Sequence, residues 1–142
     1  MYKSIWNAEK KIENYDKIVY YFIVGRLNMN RLFVYTETFQ KCWKAMGLDD
    51  DGLNVLEEQL LADPQKGAVI EGTGGARKLR IQVEYSRGKS GGGRVIYVDV
   101  VSADRIYLLF AYPKNVQDNL TSEQKKRIRS IVEQIKKEKS NG

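Results

Sequence analysis

Four basic side chains carry the chemistry open to this sequence: Lys78, Arg80, Arg94 and Lys114. Lys78 and Arg80 alternate with Leu79 and Ile81, so in an extended strand they share one face. Arg94 opens the next apolar stretch and Lys114 follows the last one. Adjacent strands can therefore bring all four into one cleft. Like charges on neighbouring strands repel, and a fold tolerates them more readily when an anion sits between them. Arg and Lys suit phosphate, because they neutralise charge developing on phosphoryl oxygens. Such a cluster can cleave RNA without histidine. The ribose 2′-OH is a nucleophile positioned by the substrate itself, and a Lys with a pKa lowered by neighbouring cations can move a proton. DNA lacks that hydroxyl, so the reaction is specific to RNA. The plain alternative is a solvated basic strand face.

Composition points the same way. Between residues 77 and 94, six cations (Arg77, Lys78, Arg80, Arg87, Lys89, Arg94) face one acid, Glu84. The whole chain carries a net charge of +6, which favours a polyanionic or acidic partner. With no histidine and one cysteine, there is no zinc-ligand set and no disulfide framework, so neither metal nor cofactor is expected. Cys42 fits the buried face of a helix beside Trp43, as a small hydrophobe. The longest apolar run, Ile18–Val24, is too short for a bilayer and lacks signal-peptide flanks. No membrane association is expected, and the cytoplasm is the expected location.

Two other motifs invite functional readings. Gly88–Ser90 reads GKS, but a phosphate-binding loop needs glycine at position 83, which is Val83, and a helix after it. The glycines read instead as a connector over Ser86–Gly93, from which Arg87 and Lys89 can still touch phosphates. Tyr97 and Tyr107 lie within apolar strands and read as core. Tyr112, at a strand end beside Pro113 and Lys114, reads as a platform for stacking a base.

The elements that must position these residues follow from periodicity. Arg31–Tyr35 is a short strand. Thr36 caps a helix over Glu37–Met46, in which Phe39, Cys42, Trp43 and Met46 recur at helical spacing, and Gly47 ends it. A second helix begins at Asp49–Asp51, with Leu53, Leu56, Leu60 and Leu61 on one face and Pro64 beyond its end. The pair forms an αα-hairpin over one sheet face, and the acids suit the second helix's dipole. Residues 64–75 read as loop and Arg77–Tyr85 as an alternating strand. Arg94–Val101 and Arg105–Tyr112 are apolar enough for burial on both faces and form a hairpin through Ser102–Asp104. A basic helix follows from Ser122 to about Lys137, opened by a Thr121/Gln124 capping box, with Ile128, Ile131, Val132 and Ile135 as its apolar stripe. The expected class is α+β, with an antiparallel sheet packed against helices in the order β-αα-βββ-α. Residues 1–28 lack this patterning. They are expected to be an N-terminal extension, either a segment that packs on the domain or an over-extended reading frame with Met29 as the true start; the completeness of the patterned part, residues 29–139, favours the second.

The runs GTGGARKLR, GKSGGGRVIY, RIYLLFAYPKN and LTSEQKKRI, in that order, closely resemble the RelE/HigB toxins of bacterial type II toxin–antitoxin systems, the HigB-like branch most of all. The resemblance spans about Met29 to Lys137. It implies a compact β-αα-βββ-α fold and an endoribonuclease that enters the ribosomal A site, cuts mRNA and so inhibits translation. It also implies a cognate helix-turn-helix antitoxin, with operator DNA bound only through the complex. By motif position, Lys78 and Arg80 match the family's basic catalytic strand, Arg94 the arginine opening the next strand, and Lys114 the basic position after the last. The resemblance implies that Arg94 and Lys114 hold the scissile phosphate. Lys78 and Arg80 would orient the RNA, with Lys78 as proton-transfer candidate. Arg77 and Lys89 would hold flanking RNA or ribosomal RNA. The chain departs from the family where some RelE members carry a tyrosine near the start of the last helix: here the sequence reads Asn119-Leu120-Thr121-Ser122. Either Lys78 or Tyr112 takes that role, or charge stabilisation dominates.

Two other function classes share these features. A ParE-like toxin on the same fold acts on DNA gyrase. A non-catalytic module would bind nucleic acid or a partner without cutting.

Overall fold

The computed structural model describes the backbone of residues 3–12, 19–25, 31–84 and 90–141, and the side chains of 31–82 and 91–138. Strands β1 (Lys3–Ile12) and β2 (Val19–Gly25) form an antiparallel pair of their own. The patterned part runs β3 (Leu32–Tyr35), α1 (Glu37–Ala45), α2 (Asp50–Ala62), β4 (Ala68–Val69), β5 (Arg77–Glu84), β6 (Ser90–Val100), β7 (Arg105–Pro113) and α3 (Ser122–Asn141). The sheet order is β3-β7-β6-β5-β4.

The expected α+β architecture is present with one topological correction. β3 lies parallel to β7, so the sheet is mixed; its other pairings are antiparallel. The sequence gives strand order along the chain but not the partner of β3, which lies beside β7 only after the whole intervening chain returns. That central place explains the apolar run of β7: Ile106, Tyr107, Leu108 and Leu109 are all buried, shared between the two faces.

Each face has its own core. On one side, Phe39 and Trp43 of α1 and Leu53, Leu56, Leu60 and Leu61 of α2 pack on Phe33, Tyr35, Leu79, Val95, Tyr97 and Leu108. On the other, Ile128, Val132 and Ile135 of α3 pack on Val34, Ile96, Val98, Tyr107 and Leu109. The helix boundaries are held by the expected caps. The Thr36 Oγ1 accepts from the Phe39 N–H at 2.9 Å, Gly47 follows α1 at φ +76°, and Thr121 and Gln124 exchange reciprocal bonds of 3.1 and 2.9 Å.

One irregularity decides where the basic residues point. Tyr97 of β6 pairs with Leu108 and Ile96 with Phe110, so β7 carries Leu109 as an extra residue. Up to Leu109 the odd positions of β7 face α3. After it Phe110 and Tyr112 do, while Ala111 joins the αα side. The Leu109 carbonyl accepts a 2.8 Å bond from the Thr36 hydroxyl. Thr36 therefore caps α1 and satisfies the bulged strand with one side chain.

Candidate functional site

The cations converge on the α3 face of the sheet, at the end where β6 and β7 meet the loop before α3. Arg80 of β5 is the direct cross-strand partner of Arg94 on β6, and Arg94 is opposite Tyr112 on β7. Lys78, two residues from Arg80, lies opposite Ile96 on the same face. Lys114 continues the β7 ladder, its N–H donating to the Gly92 carbonyl at 2.9 Å. Gly92 is the floor between two of the cations: a Cβ there would stand 3.5 Å from both the Arg94 Nη1 and the Lys114 Cδ. Gly91–Gly93 thus belong to strand β6 rather than to the connector expected from their composition, paired with Val83, Gln82 and Ile81. A Cβ at Gly92 would stand in ordinary van der Waals contact with both side chains.

Burial separates the four cations. Arg94 is 5% exposed, unusual for a guanidinium. Its Nη1 donates to the neighbouring Gly93 carbonyl at 3.0 Å, and its Nη2 lies 3.4 Å from the Asp118 Oδ1. Its buried Nε has no hydrogen-bond partner among the described residues. The Lys78 ammonium donates to the Asn119 Oδ1 at 3.3 Å. Arg80 and Lys114 are exposed, and neither makes an ion pair among the described residues.

Tyr112 does not stack outward. It is 3% exposed, its ring tilts against Phe110 at 5.5 Å, and its hydroxyl donates to the Asp118 carbonyl at 3.2 Å. The bulge turned it into the α3 core, so the base-stacking assignment is corrected: its contacts fix the loop instead. Burial pushes its phenol above the ordinary tyrosine range, with Arg94 opposing and Asp118 adding to the shift.

Arg77 is corrected as well. It lies opposite Tyr97 on the αα face and donates to the Gly67 and Gln65 carbonyls at 2.8 and 3.2 Å. That ties down the turn leading into β4, the short strand within a segment expected to be loop. Tyr97 serves the same turn, accepting from the Gly67 N–H and donating to the Pro64 carbonyl. Arg87 and Lys89 lie outside the described residues.

Sequence reasoning missed Asp118 and Asn119 as members of the site. Their nearness to Lys114 in the chain is a weak signal; what places them is the turn after Pro113. The Gln117–Gln124 amide bonds at 2.9 and 3.3 Å hold that turn to the start of α3.

The sequence model of the RelE toxin of the RelE/RelB toxin–antitoxin system matches residues 30–141. The chain belongs to the RelE toxin family. It is therefore the toxin member of a pair whose other member is an antitoxin. The match covers both sheet faces, α1, α2 and α3, and every cation of the site. Among the described residues no group of acids and cysteine could hold a metal ion, and no helix is long and apolar enough to cross a membrane.

Proposed function

We propose that this RelE-family toxin is an endoribonuclease that cuts mRNA on the translating ribosome and so inhibits translation. One observation carries the reading: Lys78, Arg80, Arg94 and Lys114 come to one face of the sheet, with buried Arg94 at their centre. Burial makes its charge act at low effective dielectric, where a fixed donor stabilises a phosphoryl transition state best.

In the proposed reaction the ribose 2′-oxygen bonds to phosphorus and the bond to the 5′-oxygen breaks. The products are a 2′,3′-cyclic phosphate and a 5′-hydroxyl. Arg94 and Lys114 hold the non-bridging oxygens, and Arg80 orients the neighbouring backbone. Tyr112 has a raised pKa and a hydroxyl that donates inward, so it remains a phenol at neutral pH and is a poor base. Lys78, on the rim, is the group we assign to proton transfer.

The substrate is mRNA in the ribosomal A site, and the setting is the cytoplasm. The functional unit is residues 29–139, of the HigB-like branch, with residues 1–28 an extension to it. The neutralising partner is a helix-turn-helix antitoxin with an acidic segment over the cluster, and operator DNA is reached only through the complex. Primer extension on a defined mRNA in a reconstituted translation reaction tests the activity. New ends are expected with the wild type and ribosomes, and a strong reduction of them with Arg94→Ala. Intact mRNA from folded wild-type protein rejects the reading. Binding to RNA is also expected to weaken steeply with salt, since phosphate contacts release counterions.

A further inference from the structure

The carboxylate of Asp118 and the amide oxygen of Asn119 are the side-chain oxygens in contact with the buried and rim cations, Arg94 and Lys78. We propose that Asp118 is an internal counterion: its carboxylate occupies the anion seat of Arg94 until an RNA phosphate displaces it. The proposal rests on the reading of this cluster as an RNA-phosphate site.

The geometry of the pair is that of a contact made to be exchanged. At 3.4 Å it is long for a charge-assisted bond between guanidinium and carboxylate. The partners are unequally free: the Arg94 side chain is 6% exposed and the Asp118 side chain 62%. The carboxylate can turn into water at little cost, whereas the guanidinium has nowhere to go. Arg94 also has more donors than partners, since its Nε is buried and unpaired among the described residues. A phosphate, with several acceptor oxygens, can satisfy more of that guanidinium than one oxygen at 3.4 Å does.

The loop behind the carboxylate is fixed. Tyr112 holds the Asp118 carbonyl and the Gln117–Gln124 pair holds the turn, so exchange requires only a side-chain rotation. Meanwhile Asp118 offsets the repulsion between Arg80 and Arg94, which face each other across β5 and β6. Asp118 is thus a positioning residue for Arg94 in the free toxin and a competitor of the substrate phosphate.

The test uses the full chain and a fluorescein-labelled single-stranded RNA, 2′-O-methylated throughout so that it cannot be cut, with affinity read by anisotropy. Asp118→Asn and Asp118→Ser are expected to bind about three- to fivefold tighter, the worth of a part-exposed ion pair. Asp118→Glu should keep the wild-type affinity. In an Arg94→Ala background, Asp118→Asn should change nothing, because the gain acts through Arg94. Melting curves establish that each variant folds. Equal or weaker binding by both neutral variants overturns the proposal. So does the same gain without Arg94, which would make the effect general electrostatics, or no binding by any of the proteins. Cleavage in the translation reaction is scored on the same proteins. Intact mRNA with the expected binding pattern rejects the nuclease and keeps the counterion; cleavage with a flat binding pattern does the opposite.

Discussion

The two faces of strands β5 and β6 put the same residue type to different uses. On the αα face, Arg77 donates to two backbone carbonyls and stays half-buried. On the α3 face, Arg94 is buried more deeply yet bonded less well, with one carbonyl, one distant carboxylate and an Nε that has no partner among the described residues. A guanidinium whose donors end on backbone carbonyls is holding the chain. One left under-bonded inside a cluster of cations is a poor stabiliser, because an unsatisfied buried polar group costs free energy. An anion seated beside it would complete its environment. Neighbours, rather than residue type or strand position, separate the arginine that holds the chain from the one we propose to act on RNA.

The largest expected effects would break that comparison outright. Arg94→Ala should lower ribosome-dependent cleavage by about 10²- to 10³-fold, as for loss of one preorganised donor, with a melting temperature close to wild type. Arg77→Ala should do the reverse, costing about 1–3 kcal/mol through the carbonyls it leaves unpaired, while cleavage per folded molecule stays near wild type. Primer extension and denaturant titration on both variants measure this. If Arg77 proved the more important for cleavage, the division between the faces would fail. Lys78→Ala should lose about 10²-fold, the low end for a general acid or base, and a loss confined to RNA affinity would leave Lys78 only an orienting role.

A smaller effect sharpens the comparison without touching a cation. Thr36→Val removes the cap of α1 and the donor to the Leu109 carbonyl. The expected cost is about 1–3 kcal/mol. If the bulge relaxes with it, Tyr112 and Lys114 change faces and cleavage falls further than stability does. Amide exchange across Leu108–Ala111 distinguishes relaxation from simple loss of the cap.

The fold was largely legible because its signals are local. The Thr36 and Thr121 caps, the leucines of α2, the stripe of α3 and the alternation in Arg77–Glu84 each need only a few neighbouring residues. The same alternation put Lys78 and Arg80 together correctly. What escaped depends on non-local pairing. The parallel partner of β3 has no local code. Neither does the Leu109 bulge, because inserting one residue into an apolar strand leaves the run looking continuous while inverting every face beyond it. That inversion is why Tyr112 reads as an exposed strand-end aromatic and is instead core. The glycines at 91–93 misled for a related reason. Composition suggests a connector, whereas Gly91–Gly93 pair with β5 as part of the strand.

The smallest expected effect concerns Tyr112 itself. Its folded-state pKa is raised, chiefly by burial, above an unfolded value of about 10. As pH rises, the unfolded chain therefore loses this proton first. The stabilisation is fully present below about pH 10 and is lost as pH climbs through the folded value. Tyr97 shifts in the same direction, again chiefly through desolvation, so the wild type should weaken at alkaline pH through both phenols. Tyr112→Phe removes one of them. It should be slightly less stable than wild type at pH 8, having lost the bond to the Asp118 carbonyl, and should lose less stability between pH 9 and pH 11. Denaturant midpoints across that range measure the difference. Parallel curves for the two proteins would mean that the Tyr112 phenol is as hydrated in the folded chain as in the unfolded one, and the α3 face would then be open where the fold has it closed.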